Sequence, residues 1–237
     1  MRGSKTSEHE ELHVLNPGVS WSPNGEKIIF AAKSGESDAL FIYDVKKNKQ
    51  IKKIVFPYND NLFIEGITKP VWNPKRDIIA FVGNNGISSD IYIYDLDLDI
   101  LENITNDWYS DLEVSWHPNG EDMLIVSDRL DNIELDQRVD LFNFQNHNIN
   151  NFDIYKISKK SDYYLTRLTN TESNEIHAKY SPNGSYIAYI SDQSGINNIY
   201  ISNDDCASST PITNVLTGIT QLNWNSNNQI IFTGFYK

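Results

Sequence analysis

The chain has a single cysteine, Cys206, among 237 residues, which excludes a disulfide framework within the chain and any cysteine-rich metal cluster. Methionine is scarce, with 2 residues, and proline with 8. Mean hydropathy is −0.47, and no run approaches the ~18 consecutive apolar residues of a membrane span, so no membrane insertion is expected. Positive charge is short as well. Against 32 Asp and Glu stand 20 Lys and Arg, a formal charge of −12. A field of that sign repels phosphate backbones, so a nucleic-acid partner is excluded. Met1–Asn16 lacks the apolar segment of a secretory signal, which leaves a cytoplasmic protein or the mature form of an exported one. Aromatics are plentiful, with 13 Tyr, 10 Phe and 5 Trp, a bias that favours strands.

What is present is a repeat. An aromatic anchor is followed by a turn and then by a β-branched run. It reads Trp21-Ser22-Pro23-Asn24-Gly25 before Ile28-Ile29-Phe30, Trp72-Asn73-Pro74-Lys75-Arg76 before Ile78-Ile79-Ala80-Phe81, and Trp116-His117-Pro118-Asn119-Gly120 before Met123-Leu124-Ile125-Val126. The fourth copy is Tyr180-Ser181-Pro182-Asn183-Gly184 before Tyr186-Ile187-Ala188-Tyr189, and the fifth is Trp224-Asn225-Ser226-Asn227-Asn228 before Ile230-Ile231-Phe232. The anchors stand 51, 44, 64 and 44 residues apart, a basic period of 44 with two insertions. A Tyr-rich run such as Ile91-Tyr92-Ile93-Tyr94-Asp95 or Asn198-Ile199-Tyr200-Ile201 follows each anchor, and a segment such as Ile104-Thr105-Asn106 or Leu168-Thr169-Asn170 closes the unit. Each unit thus reads as four short strands, a to d, with Pro fixing φ and Asn-Gly accepting positive φ in the a–b turn. Four strands per period in the low forties predict an all-β chain, a β-propeller of four-stranded blades. Five blades are expected. Residues 1–11 form a tail, 12–237 the propeller, and the last blade closes with 219–237 inside and 12–16 as its outer strand.

The recurring W-S-P-[ND]-G, [DN]-I-Y and L-T-N set resembles the TolB-like propeller repeat, a relative of WD repeats, over nearly all of residues 12–237. Pro-Asn-Gly stands here where that family has Pro-Asp-Gly, and no counterpart of TolB's N-terminal α/β domain is present. The resemblance implies a non-enzymatic, periplasmic or otherwise extracytoplasmic module that binds a protein or peptide. A carbohydrate-binding module, or the propeller part of a larger peptidase-like protein, are the alternatives. Such fold analogy informs function only by association.

Several motifs are weighed against that reading. His9-Glu10-Glu11-Leu12-His13 matches H-E-x-x-H, the pattern of a zinc-binding helix, but it lies in a polar tail followed by Pro17-Gly18, so no metal site is assigned. Asp95-Leu96-Asp97-Leu98-Asp99 begins like a calcium loop, yet Ile100 and Asn106 stand where Gly and Glu are required. Neither Gly35-Glu36-Ser37-Asp38-Ala39 nor Gly86-Ile87-Ser88-Ser89-Asp90 completes a nucleophile elbow. Cys206 lies beside Asp204 and Asp205, which disfavours a thiolate. No catalytic residue and no cofactor are assigned, and a monomer is expected.

The binding expectation is geometric. In a propeller the d–a and b–c loops open on one face, and both insertions fall there. The first carries Tyr58, Asn59, Asp60, Asn61, Phe63 and Glu65. The second spans Asp131–Asn150 with Phe142, Phe144 and His147. Trp108, Tyr109 and Asp111 precede the third repeat, and Asp128, Arg129, Asp192 and Gln193 lie in b–c loops. A second set, Lys69, Glu113, His177 and Gln221, stands three residues before its anchor in each of four repeats, an offset expected to face the central channel.

Overall fold

The computed structural model describes residues 11–12, 18–56, 63–135, 148–159 and 162–235. Among them the regular elements are strands, and none is a helix able to cross a membrane. The chain divides into two compact units, Met1–Trp108 and Tyr109–Lys237.

The first unit holds two antiparallel sheets. One joins β1 (Glu11–Leu12), β2 (Val19–Trp21), β3 (Lys27–Ser34), β4 (Ser37–Asp44) and β5 (Lys49–Val55). The other runs in order through β6 (Gly66–Trp72), β7 (Ile78–Asn84), β8 (Ser89–Asp95) and β9 (Ile100–Asn103). In the second unit β10 (Asp111–Trp116), β11 (Met123–Ser127), β12 (Asp153–Lys159) and β13 (Tyr163–Arg167) form one four-stranded meander. A second is built of β14 (Glu175–Tyr180), β15 (Tyr186–Ser191), β16 (Asn198–Asn203) and β17 (Ser209–Pro211). The hairpin of β18 (Ile219–Trp224) and β19 (Ile230–Gly234) follows. Each repeat read from the sequence starts a sheet, and each anchor aromatic ends its first strand.

One pairing differs from the expected closure. Leu12 pairs with Ala32 and Glu11 with Lys33, so these two residues belong to the first sheet, and the β18–β19 sheet has two strands among the described residues. The cause is the length of β3. Its partner β2 covers only Ile28–Phe30, which leaves the edge at Ala32 and Lys33 open to another strand. Residues 13–16 lie outside the described residues.

The middle strands of each sheet are covered on both faces, which is why they read as unbroken apolar runs. In the first unit Ile29, Leu40, Phe56, Ile67, Trp72, Ile79, Phe81 and Tyr94 form one core drawn from both sheets, with the Phe56 and Phe81 rings stacked at 5.4 Å. In the second, Leu124, Val126 and Ile154 pack on Ala178, Tyr180 and Tyr189, and Ile190 and Ile199 on Ile219 and Leu222. Within each unit the anchor of the later sheet therefore packs on the sheet before it. Trp72 and Tyr180 are buried this way, and Trp224 Nε1 donates to the Lys179 carbonyl at 3.2 Å. Trp21 opens the first sheet and is 57% exposed.

Two local devices explain the repeat letters. In the a–b turn Ser22 Oγ accepts the Lys27 amide at 2.9 Å, Ser181 Oγ accepts the Tyr186 amide at 3.0 Å, and the glycine that follows adopts positive φ. The closing threonine is a clamp. Thr169 Oγ1 accepts the Ile154 amide at 2.9 Å and donates to Asp153 Oδ1 at 3.1 Å. Thr105 does the same with Ile91 and Asp90, and Thr213 with Ile199 and Asn198. The threonine just past strand d thus satisfies a backbone amide of strand c and gives its own proton to the acid or amide side chain at the start of that strand.

Candidate functional site

The b–c loop carboxylates fasten the preceding loop. Asp128 Oδ1 accepts the Ser110 amide at 2.7 Å, and Asp192 Oδ1 accepts the Asn174 amide at 2.9 Å. Asp192 Oδ2 also takes Asn174 Nδ2 at 3.1 Å. Asp128 is buried and Asp192 half-buried. Asp111 and Arg129 are both fully buried and paired, Nη2 to Oδ1 2.7 Å. The guanidinium lies 5.6 Å from the ring of Tyr109 and 5.9 Å from that of Tyr155. Tyr109 is itself buried. Asp111, Arg129 and Tyr109 come together as an internal polar cluster, while Asp128 and Asp192 each tie a loop of their own sheet. Trp108, half-buried, ends the first unit. Phe63 is exposed and Gln193 lies at the surface. Tyr58, Asn59, Asp60, Asn61, Phe142, Phe144 and His147 lie outside the described residues, as do His9 and His13.

The second set behaves differently. In four of the five repeats the first strand is bulged at or beside this offset: Lys69 and His177 lie within the bulge, whereas Glu113 and Gln221 pair regularly with Val126 and Thr233, just after the bulged Leu112 and Thr220. The register shifts between Thr68 and Val71, Asp111 and Glu113, Ile176 and Lys179, and Ile219 and Gln221. A bulge leaves one residue outside the ladder and re-aims its side chain. Lys69 (φ 49°) and His177 (φ 56°) occupy the left-handed region, uncommon for such residues. Within the first unit Gly18, at the same offset of its own repeat, packs so closely on Lys69 and Pro70 that an added Cβ would lie 2.5 Å from Pro70 Cδ. Within the second unit His177 Nδ1 lies 3.1 Å from Glu113 Oε1. Lys69 and His177 are half-buried and Gln221 is exposed, so these three reach solvent, whereas Glu113 is buried beneath His177.

The remaining sequence motifs are absorbed by the scaffold. Asp95 Oδ1 accepts the amides of Asp97 and Leu98, each at 2.9 Å, which is an Asx-turn, and Asp99 receives the Tyr94 hydroxyl. Burial, reinforced by Asp99, pushes the Tyr94 hydroxyl up to about 12. Burial likewise pushes the Cys206 thiol up to about 12, which leaves it a poor nucleophile. His117 is more than a turn variant. Its ring meets Tyr180 edge to face at 4.4 Å, and its Nε2 lies 3.3 Å from the Gly184 carbonyl oxygen.

One titratable group escaped the sequence reading. Glu175 is 1% exposed, and Thr171 Oγ1 and Ser191 Oγ donate to its Oε1 at 2.8 and 3.1 Å. Burial pushes its carboxyl up to about 7, with the nearby Asp153 charge adding to the rise. The signal was available. Glu175 stands five residues before its anchor, as Asp111 does, and Gln193 stands where the third repeat has Arg129. The fourth repeat keeps the acid and lacks the cation.

No protein-family model matches the chain, and no curated relative matches it. Solved structures do. The crystal structure of TolB from Acinetobacter baumannii matches at TM-score 0.69 and 19% identity, covering 90% of this chain and 47% of that one. Putative TolB from Agrobacterium tumefaciens matches at TM-score 0.69 and 20% identity, covering 95% of this chain and 71% of that one. Hydrazine synthase of Kuenenia stuttgartiensis matches at TM-score 0.53 and 16% identity, covering 79% and 52%. The chain spans about half the length of the Acinetobacter TolB. Sheet order, strand content and these matches agree that the chain has the TolB-like β-propeller fold.

Proposed function

We propose that this propeller is a non-enzymatic, protein- or peptide-binding scaffold that works in the cell envelope. The observation that carries the reading is the polar offset at and beside the bulges. A scaffold that repeats its turns and clamps places a different polar residue at this one position in four of its five repeats, Lys69, Glu113, His177 and Gln221, with Gly18 in the first. Two of them hold left-handed backbone without being glycine. Strain of that kind, kept by its surroundings, points towards function. A bulge offers backbone groups outside the ladder to an extended peptide, and varied side chains give that contact sequence preference. The non-enzymatic part is supported by the use of the buried acids in clamps and loop ties and by the unreactive state of Cys206. The envelope location rests on the likeness to TolB.

The test is a crosslinked pull-down from an envelope extract, with the wild type and a Glu113→Ala, His177→Ala, Gln221→Ala variant whose fold is checked by circular dichroism. A protein captured by the wild type and lost in the variant supports the reading. Equal capture moves the site off the bulges. Capture of no protein, with a positive glycan array, replaces the protein scaffold with the carbohydrate module.

A further inference from the structure

The chain carries a formal charge of −12, yet five of its 20 cations fall in one short stretch: Lys46, Lys47, Lys49, Lys52 and Lys53. That stretch is the turn into β5 and β5 itself, the last strand of the first sheet. The outer edge of β5 takes no further strand among the described residues. At 7 residues it is longer than the corresponding strands β9, β13 and β17, which have 4, 5 and 3.

The five lysines are not alike. Lys46 is paired with Glu26 at 2.5 Å and Lys47 with Asp44 at 3.2 Å, and both belong to the turn. Lys52 and Lys53 have no carboxylate partner among the described residues. Lys52 Nζ sits 5.6 Å from the Tyr94 ring centroid and 3.4 Å from the Leu96 carbonyl oxygen, and Lys53 Nζ sits 5.8 Å from the Phe41 centroid. Beside them runs a groove of about 390 Å³, lined by Lys52–Phe56 of the first sheet and Tyr94, Asp99 and Leu101 of the second. Ile54 and Phe56 are buried at its floor and Val55 is exposed. The Asp99 carboxylate in the wall is held by the Tyr94 hydroxyl. Ile51 is the extra residue of a bulge, and from Lys52 to Val55 the pairing with β4 is regular, so the free edge beside the groove runs straight.

We propose that this edge is a docking strand for an extended acidic peptide, whose carboxylates alternate with apolar side chains. Lysine on an exposed edge normally prevents pairing between sheets, because like charges meet. The same lysines attract a strand of opposite sign. Added to β5, such a peptide gains ladder hydrogen bonds, sets alternate apolar side chains into the groove over Ile54 and Phe56, and turns the carboxylates between them to the opposite face, where Lys53 lies, while Lys52 at the groove adds attraction at longer range. The site is separate from the polar offset and does not depend on what binds there.

The test is fluorescence anisotropy with a short labelled peptide alternating glutamate and leucine. Wild-type protein binds it, and binding weakens as salt rises. Lys52→Glu with Lys53→Glu weakens binding at least about tenfold, a loss of ~1.4 kcal/mol or more. Lys52→Arg with Lys53→Arg keeps it, and Lys75→Glu, at an exposed turn of the second sheet, leaves it unchanged. Absence of binding to the wild type, unchanged binding to the Glu variant, or equal binding of a lysine–leucine peptide overturns the proposal. Should the Glu variant fail to fold, amide shifts of the wild type on titration decide instead: they must cluster at Lys52–Phe56, and a cluster elsewhere overturns it. A dimer that the Glu variant dissolves, without peptide binding, assigns the edge to a second copy of the chain and overturns it as well.

Discussion

Arg129 and Asp111 form an ion pair in which neither side chain touches solvent, Nη2 to Oδ1 2.7 Å. Arg129 Nε also donates to Ser127 Oγ at 3.0 Å, and the guanidinium rests between the rings of Tyr109 and Tyr155. Removing one partner of such a pair leaves a buried charge uncompensated, at a cost of about 3–5 kcal/mol, whereas removing both is far milder. Arg129→Met is therefore expected to lower unfolding stability by about 3–5 kcal/mol, and Arg129→Met with Asp111→Leu to recover most of it. Urea denaturation of the three proteins checks this. A single variant within about 1 kcal/mol of wild type would show that the carboxyl is accommodated without its cation.

The threonine clamp predicts a smaller and repeated effect. Thr169→Val keeps the shape of the side chain but leaves the Ile154 amide and one lone pair of Asp153 without their partner. A lost hydrogen bond at a buried site costs about 1–3 kcal/mol. Thr105→Val and Thr213→Val are expected to cost a similar amount, because both threonines make the same two bonds in their own sheets. Thermal or urea unfolding of the three single variants reads it. A neutral Thr169→Val would mean that water replaces the hydroxyl.

Gly184 and Gly25 separate two reasons for glycine. Both hold positive φ, 76° and 68°. A Cβ on Gly25 meets nothing within 4 Å, while one on Gly184 lies 2.4 Å from His117 Nε2. Gly25→Ala is expected to cost only the backbone strain, about 1 kcal/mol. Gly184→Ala costs that and the displacement of the imidazole, about 2–3 kcal/mol in all. Adding His117→Ala to Gly184→Ala removes the clash, so the double variant loses less than the two single changes summed. Strict additivity in that cycle, measured by denaturation, would remove His117 from the argument.

Most of the fold was legible because its rules are local. The Ser-Pro-Asn-Gly turn and the closing threonine act within a few residues or between neighbouring strands, so they mark the chain at each repeat. The pairing of Leu12 was not legible, since it depends on how much of β3 the three residues of β2 leave uncovered. The loop acids were read as surface because sequence does not carry burial. Asp128 and Asp192 look alike to any acidic loop residue until the amides of Ser110 and Asn174, 18 residues upstream, are seen to meet them. The offset of Lys69, Glu113, His177 and Gln221 was visible as a polar position in a strand. The bulges at or beside it, and the left-handed backbone of Lys69 and His177, belong to the pairing with the next strand and leave no letter of their own.

Glu175 sets the sign of a pH dependence. Its Oε1 accepts two hydroxyls, its Oε2 is buried without a hydrogen-bond partner among the described residues, and Asp153 adds a like charge nearby. In the unfolded chain the carboxyl titrates near 4.5, and in the fold burial lifts it to about 7. Between those values the folded state keeps a proton that the unfolded state has released. Stability from this group therefore falls as pH rises through that window and stays low above it. Glu175→Gln carries no charge to bury. The variant is expected to match wild type near pH ~4 and to be more stable above pH ~7, by about 3 kcal/mol at most, since each pK unit is worth ~1.4 kcal/mol. Urea unfolding of both proteins across that range measures the gap. A gap that does not change with pH would assign the effect to packing and not to the proton.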